Sequence, residues 1–109
     1  MNTRLENGEA IVKEGKANLM RGAEGVGGRL YLTDRRLIFE SHAFNVQTGV
    51  TVILLVNIKS VEKTWTRFLG LIPLAPTSIA VAHAAGETFN FVVNGRDAWI
   101  AAIKMQKQQ

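Results

Sequence analysis

Side chains that could carry out chemistry are few in this sequence. It contains no cysteine and two histidines, His42 and His83, so disulfides and thiolate metal sites are excluded. Neither histidine lies in a catalytic motif, no serine occupies a Gly-x-Ser-x-Gly elbow, and no carboxylate pair has a spacing suited to acid–base work. The sequence therefore predicts a protein that is not an enzyme and holds no cofactor or metal. His83 is predicted to be a strand-end residue and His42 a solvated loop residue.

Basic side chains provide two candidate groups for binding an anion. Arg35 and Arg36 are the densest pair among the thirteen basic residues and would lie at a hairpin tip, where charge also protects a strand edge from aggregation. Lys13, Lys16 and Arg21, in the first predicted hairpin, are the second group. The net charge of +4 permits binding to nucleic acid or anionic lipid. Basic and aromatic residues do not alternate along one face, however, so no nucleic-acid partner is predicted.

The segment from Trp65 to Pro76 is unusually apolar for a stretch that contains both prolines of the chain. Proline favours a loop or an edge strand, and a loop this apolar is not stable entirely in water. Three alternatives stay open: the segment packs into the core, docks on a partner or an identical subunit, or dips into a membrane interface. Its candidate binding residues are Trp65, Arg67, Phe68, Leu69, Leu71 and Ile72.

Alternating apolar runs separated by turn residues about every ten positions predict an antiparallel β protein. The run 50–56 is apolar on both faces and is predicted to be covered on both sides. Asp34-Arg35, Gly15-Lys16, residues 25–28 and Ala85-Gly86 are predicted turns, and residues 42–49 a loop. Eight such runs, at residues 9–14, 17–21, 29–33, 36–40, 50–56, 58–65, 79–84 and 88–93, predict a sheet of about seven strands.

The period changes from two to 3.6 near the end of the chain, which predicts one amphipathic helix. Asn94 is the predicted N-cap, with Asp97 completing a variant of the capping box. Trp99, Ala102 and Ile103 fall on one helical face. A small open barrel exposes its core at one end, and Trp99 is predicted to plug that opening.

The run GRLYLTDRRLIFES at residues 28–41 resembles the central motif of GRAM domains, which belong to the pleckstrin-homology-like superfold. Residues 58–61, 86–93 and 97–99 resemble the family's later strand, hairpin and closing helix. The resemblance spans residues 9–105 of a predicted single domain, 1–109. It implies a mainly β (α+β) fold: a partly open antiparallel barrel closed by one C-terminal α-helix. The family is implicated in binding membrane lipids, often phosphoinositides, and in protein contacts.

We therefore predict a binding module that acts in protein interaction or self-assembly, through the apolar loop and an open sheet edge. The alternative is peripheral binding to anionic membrane lipid, although Lys13, Lys16 and Arg21 do not reproduce the spacing of phosphoinositide-binding pleckstrin domains. A small enzyme is an outside possibility. Residues 1–9 contain no apolar stretch and residues 50–56 are too few to span a bilayer, so a cytoplasmic location is predicted, with peripheral membrane association as the alternative.

Overall fold

An antiparallel sheet with one helix makes up the computed structural model of the chain, which describes residues 1–21, 24–42, 50–68 and 72–108. Within these ranges the sheet has seven strands, and a 3₁₀ turn joins the fourth to the fifth. The predicted mainly β fold with a C-terminal helix is confirmed. The elements are β1 (Ile11–Arg21), β2 (Glu24–Thr33), β3 (Arg36–Ser41), β4 (Val50–Leu54), β5 (Ile58–Phe68), β6 (Ile72–His83), β7 (Thr88–Val93) and α1 (Arg96–Lys107).

The strands follow the order β4-β3-β2-β1-β7-β6-β5, and the sheet folds over so that its inner face encloses the core. Phe39 of β3 and Phe91 of β7 meet there with ring centroids 5.9 Å apart. The helix closes the core, because Trp99 is 2% exposed and Ile103 is fully buried. The predicted role of Trp99 as a plug is confirmed.

The hairpin that joins β2 to β3 turns at Asp34-Arg35, as predicted. Thr33, fully buried, fixes this turn: its hydroxyl oxygen accepts the backbone N–H of Arg35 at 3.0 Å and of Arg36 at 2.8 Å. The Asp34 carboxylate accepts the N–H of Ala10 at 3.1 Å. The turn is therefore tied to the residues that lead into β1.

Two glycine-containing turns predicted from the sequence are strands in the structure. β1 runs without interruption through Gly15, which pairs with Leu30, and residues 25–28 belong to β2. Arg21 pairs with Glu24, so the connection falls on residues 22–23, outside the described part. Glycine is as compatible with extended backbone as with a turn, and the local pattern did not distinguish the two.

The strand β4 is buried on one face, whereas the sequence predicted cover on both. Ile53 is 2% exposed, but Val50, Val52 and Leu54 are 48%, 44% and 44% exposed. In the described residues β4 pairs with β3 alone, and these three side chains on its outer face are only partly covered. Of the predicted loop 42–49, residues 43–49 lie outside the described residues.

The apolar segment from Trp65 to Pro76 continues two strands instead of forming a long loop. Arg67 of β5 pairs with Pro73 of β6, and β6 pairs with β7 over Ser78–Ala82 only. The prolines therefore lie where β6 pairs only with β5 among the described residues. This agrees with the prediction that a strand containing them is an edge strand. Residues 69–71 and the side chains of 65–68 and 72–76 lie outside the described part, so the three alternatives for this segment stay predictions.

The helix begins differently from the sequence prediction. Gly95, rather than Asn94, is the N-cap residue, with φ 68° and ψ 55° and no capping side chain. Asp97 instead pairs with Lys63 of β5, whose Nζ lies 2.9 Å from the carboxylate. The chain thus enters α1 through a left-handed residue, which glycine adopts without steric cost.

Replacing Gly95 with alanine is expected to lower the free energy of unfolding by about 1 kcal/mol, because a Cβ disfavours positive φ. A Cβ at this position would meet no atom within 4 Å, so the effect is conformational rather than steric. Gly95→Asn should cost less, since asparagine tolerates the left-handed region. Urea unfolding of the three proteins measures both changes; equal stability of all three would contradict the left-handed cap.

Candidate functional site

The outer face of β3 carries an ion pair that binds the N-terminal residues to the sheet. Arg36 donates from Nε and an Nη to the two carboxylate oxygens of Glu9, at 2.9 and 2.7 Å. Thr33 donates its hydroxyl to the same carboxylate at 2.6 Å. The Glu9 side chain is fully buried and that of Arg36 is 12% exposed. The hydrogen bonds from Arg36 hold the pKa of Glu9 at about 2, against an ordinary 4.5.

The neighbouring Arg35 also has intramolecular partners. Its guanidinium donates to the carbonyl oxygen of Asn7 at 3.0 Å and lies 3.7 Å from the carboxylate of Glu6. The structure therefore brings Arg35 and Arg36 together at the hairpin, but both contact the N-terminal residues. Binding of an external anion by this pair stays a prediction, and at Arg36 it would require the loss of the contact with Glu9.

The other predicted basic group is not brought together on one face. Lys13 points towards the closing helix, with its Nζ 5.2 Å from the ring centroid of Trp99, where it makes a cation–π contact. Lys16 is exposed on the opposite face of β1 and pairs with Arg29 of β2. Arg21 ends the strand, which at ~3.3 Å per residue places it ~26 Å from Lys13. Phosphate binding by these three residues stays a prediction.

Lys16 instead shares a cleft with residues that are distant in the sequence. The cleft has a volume of about 260 Å³ and is lined by Asn18, His42 and Asn94 as well as Lys16. Gly27 forms part of its wall, and a Cβ there would lie 3.3 Å from the Asn18 side-chain oxygen. The sequence predicted His42 to be solvated, which is correct, but residues so far apart gave no signal of a common cleft.

His83 ends β6 and stabilises the turn that follows. Its Nδ1 accepts the backbone N–H of Ala85 at 2.9 Å, and its own carbonyl accepts that of Gly86 at 2.9 Å. The predicted turn at Ala85-Gly86 and the predicted strand-end position of His83 are both confirmed. The imidazole thus has a structural partner here, and no catalytic group accompanies it in the described turn.

Exposed apolar side chains lie at the β4 edge of the sheet. We call them the β4 surface: Val50, Val52 and Leu54 on the outer face of the strand, and Val56, which is 88% exposed. Beside Leu54 and Val56 is a cavity of about 290 Å³ whose rim includes Arg35 and Lys107. Sequence reasoning missed this surface because an apolar run indicates burial but does not show which of its faces has a neighbour.

No helix within the described ranges is long and apolar enough to cross a membrane. In those same ranges no group of three His, Cys, Asp or Glu side chains could hold a metal ion.

Comparison with known proteins identifies the architecture. The model of the GRAM domain family matches residues 1–92. The C-terminal domain of an unknown protein from Leishmania infantum has a TM-score of 0.73 at 19% identity, over 94% of this chain and 88% of that one. The Vps36 N-terminal PH domain has a TM-score of 0.69 at 16% identity, over 96% and 83%. The hSac2 domain of the human phosphoinositide phosphatase Sac2 has a TM-score of 0.71 at 11% identity, over 95% and 73%.

At these identities the solved structures show the fold alone, and they confirm the predicted pleckstrin-homology-like fold. No curated protein is significantly similar in sequence to this chain.

Proposed function

The chain belongs to the GRAM domain family, whose members are lipid- or protein-binding modules, and we propose that it associates with a second copy of itself through the β4 surface. The observation that supports this proposal is an apolar row on the outer face of an edge strand. Val50, Val52 and Leu54 are each more than two-fifths exposed. Removal of such a row from water is favourable by about 25 cal/mol per Å² of apolar area.

The edge itself is suited to strand addition. In the described residues β4 pairs with β3 on one side only, which leaves backbone N–H and C=O groups of its other side available to a new strand. Edge strands usually resist such pairing through charged side chains, prolines or bulges. The five residues of β4, VTVIL, include neither a charge nor a proline.

The strand is also compatible with two-fold symmetry. In an antiparallel pair of β4 strands centred on Val52, each Val50 would lie opposite the Leu54 of the other copy. Side chains alternate between faces, so the two apolar rows would lie on the same face and contact each other. A two-fold pairing of identical patches gives a closed dimer, the commonest symmetric assembly.

Lysine at position 52 is expected to weaken dimerisation by about tenfold or more, because like charges directly opposite in an antiparallel pair repel each other and the apolar contact is lost. Sedimentation equilibrium over a wide range of protein concentration measures the dissociation constant of the unmodified chain and of Val52→Lys. Val12→Lys is the matched control: Val12 is 47% exposed but lies on β1, and its replacement should leave dimerisation unchanged.

A chain that stays monomeric at every concentration would contradict the proposal. The alternative function, binding of anionic membrane lipid, is supported by the cleft that contains Lys16 and His42. Co-sedimentation of the monomer with anionic but not neutral vesicles, weakened by salt, would favour that alternative. The double change Phe68→Ser, Leu71→Ser then tests whether the apolar end of the β5–β6 hairpin takes part.

A further inference from the structure

Residues 1–9, here called the N-terminal strap, are attached to the outer face of the sheet by side chains. At one end of β3, Glu40 accepts the backbone N–H of Asn2 at 3.0 Å and that of Thr3 at 2.6 Å. The Thr3 hydroxyl donates to the same carboxylate at 2.5 Å. Burial opposes ionisation of Glu40, but these hydrogen bonds outweigh it, and the pKa of Glu40 is lowered.

The second attachment lies at the other end of β3. Arg36 donates to the carbonyl oxygen of Arg4 at 3.0 Å, in addition to its pair with Glu9. Residues 1–10 contain no strand, so the strap is not a member of the sheet. Its described hydrogen bonds to β3 end at two charged side chains, Glu40 and Arg36.

An apolar strip lies between the two attachments. Arg36, Ile38 and Glu40 alternate along β3 and therefore share its outer face. Ile38 is fully buried and its cross-strand partner Tyr31 is 5% exposed, yet neither belongs to the main hydrophobic core. The strap is fixed on both sides of Ile38 and contributes the half-buried Leu5, so its path between the two attachments crosses the outer face of β3 at this strip.

The covered strip continues into the β4 surface. Ile38 pairs with Val52 in the β3–β4 register, so Tyr31, Ile38 and Val52 form one cross-strand row. Part of this row is buried under the strap and Val52 is 44% exposed. If the strap moved away, the exposed apolar area at the edge of the sheet would extend across two more strands.

We propose that the N-terminal strap is a displaceable cover which limits the apolar docking surface of the sheet to β4 and, when it detaches, extends that surface to Ile38 and Tyr31. Detachment breaks side-chain hydrogen bonds and ion pairs, including the Glu9–Arg36 pair, but no strand pairing, so it requires less free energy than unfolding of the sheet. The effect on assembly rests on the proposed β4 dimer, but opening of the strap does not.

Thiol labelling of the full chain tests the opening alone, because the sequence contains no cysteine. Ile38→Cys places one thiol under the strap, and Ile79→Cys places one in the main core; both isoleucines are fully buried. We expect the thiol at position 38 to react with a small thiol reagent faster than the thiol at position 79 in native buffer. The first needs strap opening, whereas the second needs unfolding of the sheet.

Glu40→Gln, added to each cysteine variant, removes the charge at one of the two attachments of the strap. Hydrogen bonds to a charged group are stronger than those to a neutral group, so we expect the labelling rate at position 38 to rise by about tenfold or more. The labelling rate at position 79 should rise far less. Thr3→Ala changes the strap alone and leaves β3 intact, and it should accelerate labelling at position 38 in the same direction by a smaller factor.

Equal labelling rates at positions 38 and 79, or equal acceleration of both by Glu40→Gln, would overturn the proposal, because the strap would then open only with the whole fold. Sedimentation of Glu40→Gln without added cysteine tests the consequence for assembly, where a tighter dimer is expected. Selective labelling at position 38 in a chain that never dimerises would refute the β4 dimer and leave the displaceable strap standing.

Discussion

Replacement of Gly28 by alanine is expected to lower the free energy of unfolding by about 3 kcal/mol, the upper end of the range for overpacking a well-packed site. Gly28 of β2 pairs with Ser41 of β3. An added Cβ would clash with the Glu40 carbonyl oxygen and lie 2.8 Å from the Ser41 Cα. Both are backbone atoms, so relief requires one strand to move.

Gly25→Ala is the matched control for this effect. Gly25 is on the same strand, but a Cβ there would meet first the flexible Met20 side chain, with its sulfur at 3.4 Å. Alanine also restricts the unfolded chain, which stabilises a protein by about 0.4–1 kcal/mol where the backbone permits it. In urea unfolding, Gly28→Ala should therefore have a clearly lower midpoint than Gly25→Ala. Similar midpoints for Gly25→Ala and Gly28→Ala would show that the close approach of β2 and β3 is not a real constraint.

Glu9→Gln is expected to have a comparable effect, a loss of about 3 kcal/mol at neutral pH, because it leaves the largely buried guanidinium of Arg36 without its counter-charge. The Glu9 side chain is fully buried and accepts two hydrogen bonds from Arg36 and one from Thr33. Glu14→Gln is the control. Glu14 lies 3.9 Å from Arg29 with half of its side chain exposed, and exposed pairs contribute about 0–1 kcal/mol.

The pH dependence of this effect has a definite sign. The pKa of Glu9 is about 2 in the folded chain against an ordinary 4.5, so its stabilising contribution is complete above pH 4.5 and is lost as pH falls towards 2. At about 1.4 kcal/mol per pH unit, the difference amounts to about 3 kcal/mol. The stability difference between the unmodified chain and Glu9→Gln should therefore be constant near neutral pH and shrink in acid. A difference that does not change down to pH 2 would contradict the low pKa.

Strands, turns with a clear chemical signal and the closing helix were predictable because they depend on neighbours in the sequence. Leu30 and Leu32 alternate with polar residues and lie in the core, and Asp34-Arg35 turns the chain as its residue types indicate. Trp99 lies on the apolar face that the helical period predicts, and it is buried against the core of the sheet. The order of these elements also supported the family, which the match over residues 1–92 confirms.

Features that depend on which strands lie side by side were not predictable in this way. The run at residues 50–56 is apolar on both faces, yet its position at the edge of the sheet leaves Val52 and Leu54 in water. Residues 25–28 have the composition of a turn, but Gly28 serves a close approach of two strands. Lys16 and His42 share a cleft that no local pattern indicates.

Arg35 and Arg36 show most clearly which features are local to the sequence and which depend on the tertiary structure. Sequence alone determined that Arg35 and Arg36 lie at a hairpin, because turn chemistry and strand period are local properties of the chain. Only the tertiary structure decided that Arg36 pairs with Glu9, 27 residues away, and helps to hold the strap over Ile38. A charge has no preferred partner in the sequence; its partner is whichever opposite charge the folded backbone brings within hydrogen-bonding distance.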